Sequence, residues 1–182
     1  MDGIILAGGK STRMGKNKML IDINGHPVIW HTIQSMSPFV SRLIIVTGRY
    51  DKEIREALKE EKDIEIVTNP DYELGMFSSV KTGVKRVAAP FFLIPGDCPF
   101  VKKETYEALL EGKGDIRVPN YKGEDGHPIY IDIKYKDEIL SLPLDSNLKL
   151  FRDSKNYEII DVRDPNIVIN LNDVSDVIKF QN

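Results

Sequence analysis

The sequence predicts an α/β fold, a three-layer sandwich with a mostly parallel, Rossmann-like sheet and a small antiparallel hairpin region. Three observations carry this reading. Short apolar runs alternate with amphipathic stretches from the N-terminus onward, the βαβ grammar of a helix-covered sheet. Those runs are continuously apolar, as expected of parallel strands buried on both faces. In the second half, a polar turn separates two segments that read as a hairpin. No Pro/Gly/Ser-rich linker or low-complexity stretch divides the chain, so residues 1–182 are read as one domain.

The elements follow in order. Ile4 to Ala7 is a short buried strand, and Arg42 to Thr47 (RLIIVT), Ile64 to Thr68 (IEIVT) and Phe91 to Pro95 (FFLIP) repeat the type. Between them lie helical stretches at Pro27 to Met36, Asp51 to Lys62 and Phe77 to Ala88. Pro27 suits a first helical turn, and Asp51 is a candidate N-cap. A fourth helix, Lys102 to Glu111, is stopped by Gly112. Ile116 to Tyr121 and His127 to Ile133 flank the turn KGEDG. Tyr157 to Val162 and Ile167 to Asn170 are further strand candidates, and Val174 to Phe180 is a closing helix.

Composition bounds the function. With 41% hydrophobic and 29% charged residues, the 182-residue chain has the make-up of an ordinary globular domain. A formal net charge of -3 offers no global attraction to nucleic acid or to a membrane, so any polyanion has to be met by a local cationic cluster. Cys98 is the single cysteine, which excludes an intrachain disulfide and a cysteine-based zinc site. No apolar run approaches the roughly 20 residues that span a bilayer. The expected location is the cytoplasm, with neither nucleic-acid nor membrane partners.

The segment Gly3 to Gly15, GIILAGGKSTRMG, contains GGKST, the tail of a P-loop. A P-loop needs Gly, four residues, then Gly-Lys-Ser/Thr. Counting back from Gly9-Lys10-Ser11, the first glycine falls on Ile4, and starting from Gly3 puts Gly9 in the lysine position. Both registers fail. The physical character of the segment survives: a strand runs into a turn whose Gly8 and Gly9 expose backbone N–H groups and let a ligand approach closely. Lys10, Arg13, Lys16 and Lys18 then place four cations within nine residues of an acidic chain, which suits a triphosphate.

Residues 6–20, LAGGKSTRMGKNKML, resemble the LAGGxSxRMGxxK signature of the MobA-like nucleotidyltransferases. Asn69-Pro70 with Gly75-Met76-Phe77-Ser78-Ser79-Val80, then Pro95-Gly96-Asp97-Cys98-Pro99-Phe100, Gly126-His127-Pro128 and the closing Asn170 to Asp176 match further family motifs in order. GMxxS, GDxP and GHP together are most similar to the molybdenum cofactor cytidylyltransferase branch, whereas Gly8 is the residue usual in the guanylyltransferase branch. The resemblance implies a nucleotide-diphospho-sugar transferase-like fold. It also implies a Mg²⁺-dependent transfer of a nucleoside monophosphate from an NTP to a phosphate-bearing acceptor, with release of pyrophosphate. CTP is the expected NTP and GTP the alternative. The expected acceptor is molybdopterin or the molybdenum cofactor, with a molybdoenzyme as possible recipient of the product. A non-catalytic nucleotide or cofactor carrier is the reading from another class.

The same resemblance implies roles for individual residues. Leu6, Ala7, Gly8 and Gly9 would receive the base and ribose, and Lys10 and Arg13 the β- and γ-phosphates. Lys18 would meet the α-phosphate, making Arg13, Lys18 and Asp97 the catalytic set. Asp97 stands at the carboxyl end of an apolar strand, where open α/β sheets bind ligands, and is the expected Mg²⁺ ligand. Asn172 is the second candidate ligand, with Asn170 behind it; Asn172 serves equally as an N-cap. Asn69 and Ser79 would border the base, although the Ser79 hydroxyl could equally cap a helix. His127 would contact the acceptor. His26 and His31 are read as structural, and Cys98 lacks a neighbouring base that would make it a nucleophile.

Overall fold

In the computed structural model, which describes residues 1–9 and 17–171, β1 (Asp2–Ala7) lies inside a sheet ordered β5-β4-β1-β6-β9-β7-β10. Its members are β4 (Arg42–Thr47), β5 (Ile64–Thr68), β6 (Phe91–Pro95), β7 (Ile116–Tyr121), β9 (Ile129–Ile131) and β10 (Glu158–Asp161), with β8 (Glu124–Asp125) paired to β7. β1 pairs in parallel with β4 and β6, β4 with β5, and β7 with β10, while β9 runs antiparallel between β6 and β7. A two-stranded ribbon, β2 (Asp22–Ile23) and β3 (His26–Pro27), stands apart.

Alternation along the strands builds two cores. Ile5, Ile45, Phe92 and Ile94 face one way and pack with residues of α1 (Val28–Met36), α2 (Asp51–Ala57) and α4 (Lys103–Glu111). Ile4, Ile44, Val46 and Leu93 face the other way and pack with residues of α3 (Met76–Val84), α5 (Lys136–Ser141) and α6 (Leu148–Asp153). Each buried aliphatic side chain contributes roughly 1.5–3 kcal/mol, and a one-residue slip in register would exchange the two faces. The expected three layers are therefore present. None of the described helices is long and apolar enough to cross a membrane.

Several boundaries differ from expectation for local reasons. α1 begins at Val28, because Pro27 is extended and pairs with Asp22 in the ribbon. α2 ends at Ala57; the following Lys59-Glu60-Glu61-Lys62 has no apolar residue to hold it on the sheet, and Glu61 instead accepts a 2.9 Å hydrogen bond from Trp30 Nε1. Asp51 is the first helical residue rather than the cap. α3 ends at Val84, after which the Ala88 amide donates to the Asp2 carboxylate at 2.7 Å as the chain turns toward β6. β7 is answered first by the short β8 across Lys122 and Gly123, whose φ values of 52° and 89° suit a tight hairpin turn, and only then by β9. The strand expected at Ile167 to Asn170 is instead a 3₁₀ turn over Pro165–Val168: Pro165 opens it and the Asp164 side chain accepts from the Asn166 amide. The helix expected at Val174 to Phe180 lies outside the described residues.

Candidate active site

β1 has β4 on one side and β6 on the other, so the strand order reverses around it. Ligands of open α/β sheets bind at such a switch point, beyond the carboxyl ends of the strands. A cleft of about 310 Å³ lies there. The end of β1 supplies Leu6, Gly8 and Gly9; the β6 side supplies Lys18, Met19, Pro95 and Asp97; the segment leading into α3 supplies Tyr72, Glu73 and Gly75, and the start of α3 supplies Met76 and Ser79.

The β6 side is firmly held. The Gly96 amide donates to the Leu6 carbonyl at 2.9 Å, and Thr32 Oγ1 on α1 donates to the Gly96 carbonyl at 2.8 Å. Asp97 is thereby fixed in a buried position, 6% exposed, and its carboxylate forms an ion pair with the Lys18 ammonium. Its backbone carbonyl accepts from the Leu171 amide at 3.0 Å, which brings the closing motif to the tip of β6. Cys98 Sγ donates to Asn170 Oδ1 at 3.1 Å. That bond occupies the amide oxygen that Asn170 would have offered to a metal. Burial, and secondarily the charge of Asp97, raise the Cys98 thiol well above its ordinary range, so it stays protonated.

On the α3 side, Asn69 is buried and its Nδ2 donates to Ser78 Oγ at 2.8 Å and to Ser79 Oγ at 3.0 Å. Asn69 therefore stands behind Ser79, positioning a hydroxyl that lines the cleft. A Cβ on Gly8 would lie 2.6 Å from Ser79 Oγ, so this glycine lets β1 and α3 approach. Gly9 has open space around it. Ala7 is buried in the sheet-side core.

His127 lies beyond the lining residues, with its backbone amide donating to the Ile167 carbonyl at 2.9 Å. Burial lowers its pKa to about 4, with Asp97 pulling it up and Arg152 pushing it down, so the ring is neutral near pH 7. Its buried Nδ1 has no hydrogen-bond partner among the described residues, a property it shares with Asn17 Nδ2, next to Lys18.

The structure thus gathers Leu6, Gly8, Gly9, Lys18, Ser79 and Asp97 around one cleft and sets Asn69 behind it. Lys10, Arg13, Lys16 and Asn172 lie outside the described residues. Sequence reasoning missed Asn17, Met19, Tyr72 and Met76. Asn17 and Met19 sat inside the matched opening motif, whereas nothing local marked Tyr72.

Residues 3–158 match the family described as the MobA-like NTP transferase domain. The chain belongs to this family. A molybdenum cofactor cytidylyltransferase of Escherichia coli strain K12 is 28% identical over 180 residues, spanning 98% of this chain and 94% of the relative. A molybdenum cofactor guanylyltransferase of Shewanella frigidimarina is 31% identical over 141 residues, spanning 74% of this chain and 69% of the relative. Among solved structures, Rv0371C of Mycobacterium tuberculosis H37Rv in complex with manganese superposes with a TM-score of 0.80 at 21% identity, covering 99% of this chain and 97% of that one. The MobA-like protein described here is a nucleotidyltransferase, and its sheet has the nucleotide-diphospho-sugar transferase fold.

Proposed function

We propose that the protein transfers a cytidylyl group from CTP to the phosphate of a molybdopterin-type acceptor, releasing pyrophosphate. The observation that carries this reading is the meeting of the Lys18 cation and the Asp97 carboxylate with the glycine turn of β1 in one cleft. The near full-length likeness to a cytidylyltransferase supports CTP and the acceptor class.

The reaction needs positioning and charge neutralisation more than covalent help. An acceptor phosphate oxygen attacks the α-phosphorus, the bond from that phosphorus to the bridging oxygen of the β-phosphate breaks, and the electron pair leaves with pyrophosphate. Cys98, buried and protonated, takes no part as nucleophile. Among the described residues, no cluster of three or more His, Cys, Asp or Glu could hold a metal by itself. A single buried carboxylate fits Mg²⁺, which keeps several waters and takes its remaining oxygens from substrate phosphates. Asp97 would hold that ion, and Mg²⁺ when bound neutralises charge on the triphosphate. Lys18, freed from Asp97 as the metal-nucleotide complex enters, would turn its ammonium to the α-phosphate. The Gly8 and Gly9 backbone would receive the nucleoside.

GTP is the second reading, favoured by Gly8: the position has no side chain, and Ser79 Oγ fills the place a Cβ would take. Pyrophosphate release, measured with each NTP in turn plus Mg²⁺ and acceptor, tests the proposal. CTP is expected to give the fastest release, and Asp97→Ala to abolish it while leaving the fold intact. Faster release with GTP would move the assignment to the guanylyl branch. No release with any NTP would reduce the protein to a carrier.

A further inference from the structure

The cleft is chemically lopsided. Its ion pair, Lys18 with Asp97, sits on the β6 side. The opposite side carries Tyr72, Glu73, Gly75 and Met76, so its one charge is a carboxylate, and Met76 is 68% exposed. A nucleotide has the same asymmetry, an anionic tail and a flat apolar base. The cation Lys18 on one side and the carboxylate of Glu73 on the other set the direction in which it lies, with its phosphates toward Lys18 and its base toward Tyr72.

Tyr72 is the only aromatic side chain among the described residues that line the cleft. It is half-buried and seated against the tip of β4. A Cβ on Gly48 would lie 2.8 Å from Tyr72 Cβ and 3.0 Å from Tyr72 Cγ, and on its other side 2.8 Å from the Gly8 carbonyl oxygen. Gly48 therefore lets two chain segments close on it together, the turn after β1 and the root of the Tyr72 ring. No larger residue fits without pushing one of them away. A phenol held at the end of β1, opposite the phosphate-binding groups, is in the right place for a base.

We propose that the Tyr72 ring is the stacking platform for the nucleobase, with Gly48 as the residue that positions it. The proposal rests on the nucleotide reading above. Base–aromatic stacking is strong enough to matter and tolerant of base identity, because every base presents a π-face. Tyr72 then supplies nucleotide affinity, and discrimination between bases falls to the polar groups around Gly8 and Ser79.

Titration calorimetry with two probes, Mg²⁺–CTP and Mg²⁺–tripolyphosphate, separates base from phosphate. Tyr72→Leu, which keeps bulk but removes the π-face, is expected to weaken Mg²⁺–CTP binding roughly ten- to a hundredfold while leaving tripolyphosphate affinity within about twofold. Tyr72→Phe should bind both as the wild type does. Gly48→Ala should weaken Mg²⁺–CTP binding more than tripolyphosphate binding, since it displaces the ring. Equal loss of both probes in Tyr72→Leu would place the phosphates at this wall instead and overturn the proposal, as would undiminished CTP binding. A wild-type protein that binds tripolyphosphate but no NTP would sink the nucleotide reading itself.

Discussion

Asp97 and His127 show how single residues are tuned by what surrounds them. Asp97 is buried and balanced by the Lys18 ammonium. An uncompensated buried carboxylate is costly, and the Lys18 ammonium offsets that cost. His127 is tuned the other way. Its ring is held neutral by burial, and protonation waits until about pH 4 against about 6.5 for the free side chain. Between those values the unfolded chain binds a proton that the folded chain refuses, so stability falls as pH falls through that window and levels off below it. The wild type is expected to lose on the order of 3 kcal/mol more than His127→Gln between pH 7 and pH 4. Urea unfolding midpoints across that range measure the difference. Parallel curves for the two proteins would show that His127 is not held neutral by the fold.

Elements meet the site through close backbone approaches, and one of these is testable. β1 and α3 converge where Gly8 faces Ser79 Oγ, with the hydroxyl held in place by Asn69. Gly8→Ala would bring a methyl group to 2.6 Å from that oxygen, so the turn or the helix has to shift. The variant is expected to lose about 1–3 kcal/mol of stability, with NTP affinity falling alongside. Combined with Ser79→Ala it should recover much of the loss, because the serine Cβ lies at 3.7 Å, an ordinary contact. A double-mutant cycle on thermal unfolding and CTP binding checks this, and strictly additive effects would refute the contact. The same convergence explains what could be read in advance. β1, β4 and β6 announced themselves as apolar runs because both their faces are buried, the partly buried edge strand β5 by its alternating β-branched residues, and Lys18 and Asp97 lay inside spaced motifs. α5 and α6 are helices of six residues each, too short for a period to stand out, and β2 and β3 have only two residues apiece. Ile167 to Asn170 looked like a strand from its apolar residues, but Pro165 and the Asp164 cap decide for a turn. Tyr72 belongs to the cleft only because Gly48, 24 positions earlier, makes room for it. Local pattern cannot report a fit between two distant segments.

At the scale of the whole molecule, the cleft is assembled from parts far apart in the chain: the β1 turn, Lys18, the Tyr72 to Ser79 segment and Asp97. Unfolding disperses all of them, so the unfolded chain has no site, and a ligand that fills the cleft stabilises the entire domain. Stabilisation follows RT ln(1 + [L]/Kd), about 2.7 kcal/mol at a hundredfold excess over Kd. For a domain of this size each kcal/mol raises Tm by roughly 2–4 °C, so saturating Mg²⁺–CTP is expected to add roughly 5–10 °C. CTP without Mg²⁺ should give much less, because Lys18 remains on Asp97 and the triphosphate meets an unneutralised carboxylate. Asp97→Asn removes both the repulsion and the proposed metal anchor. Its CTP shift should therefore lose its dependence on Mg²⁺, even if some stabilisation by nucleotide alone persists. Differential scanning fluorimetry of the two proteins, with and without Mg²⁺, reads all four cases. A Mg²⁺-dependent shift that survives in Asp97→Asn would mean the metal is held elsewhere, and the charge logic assigned to β6 would have to be abandoned.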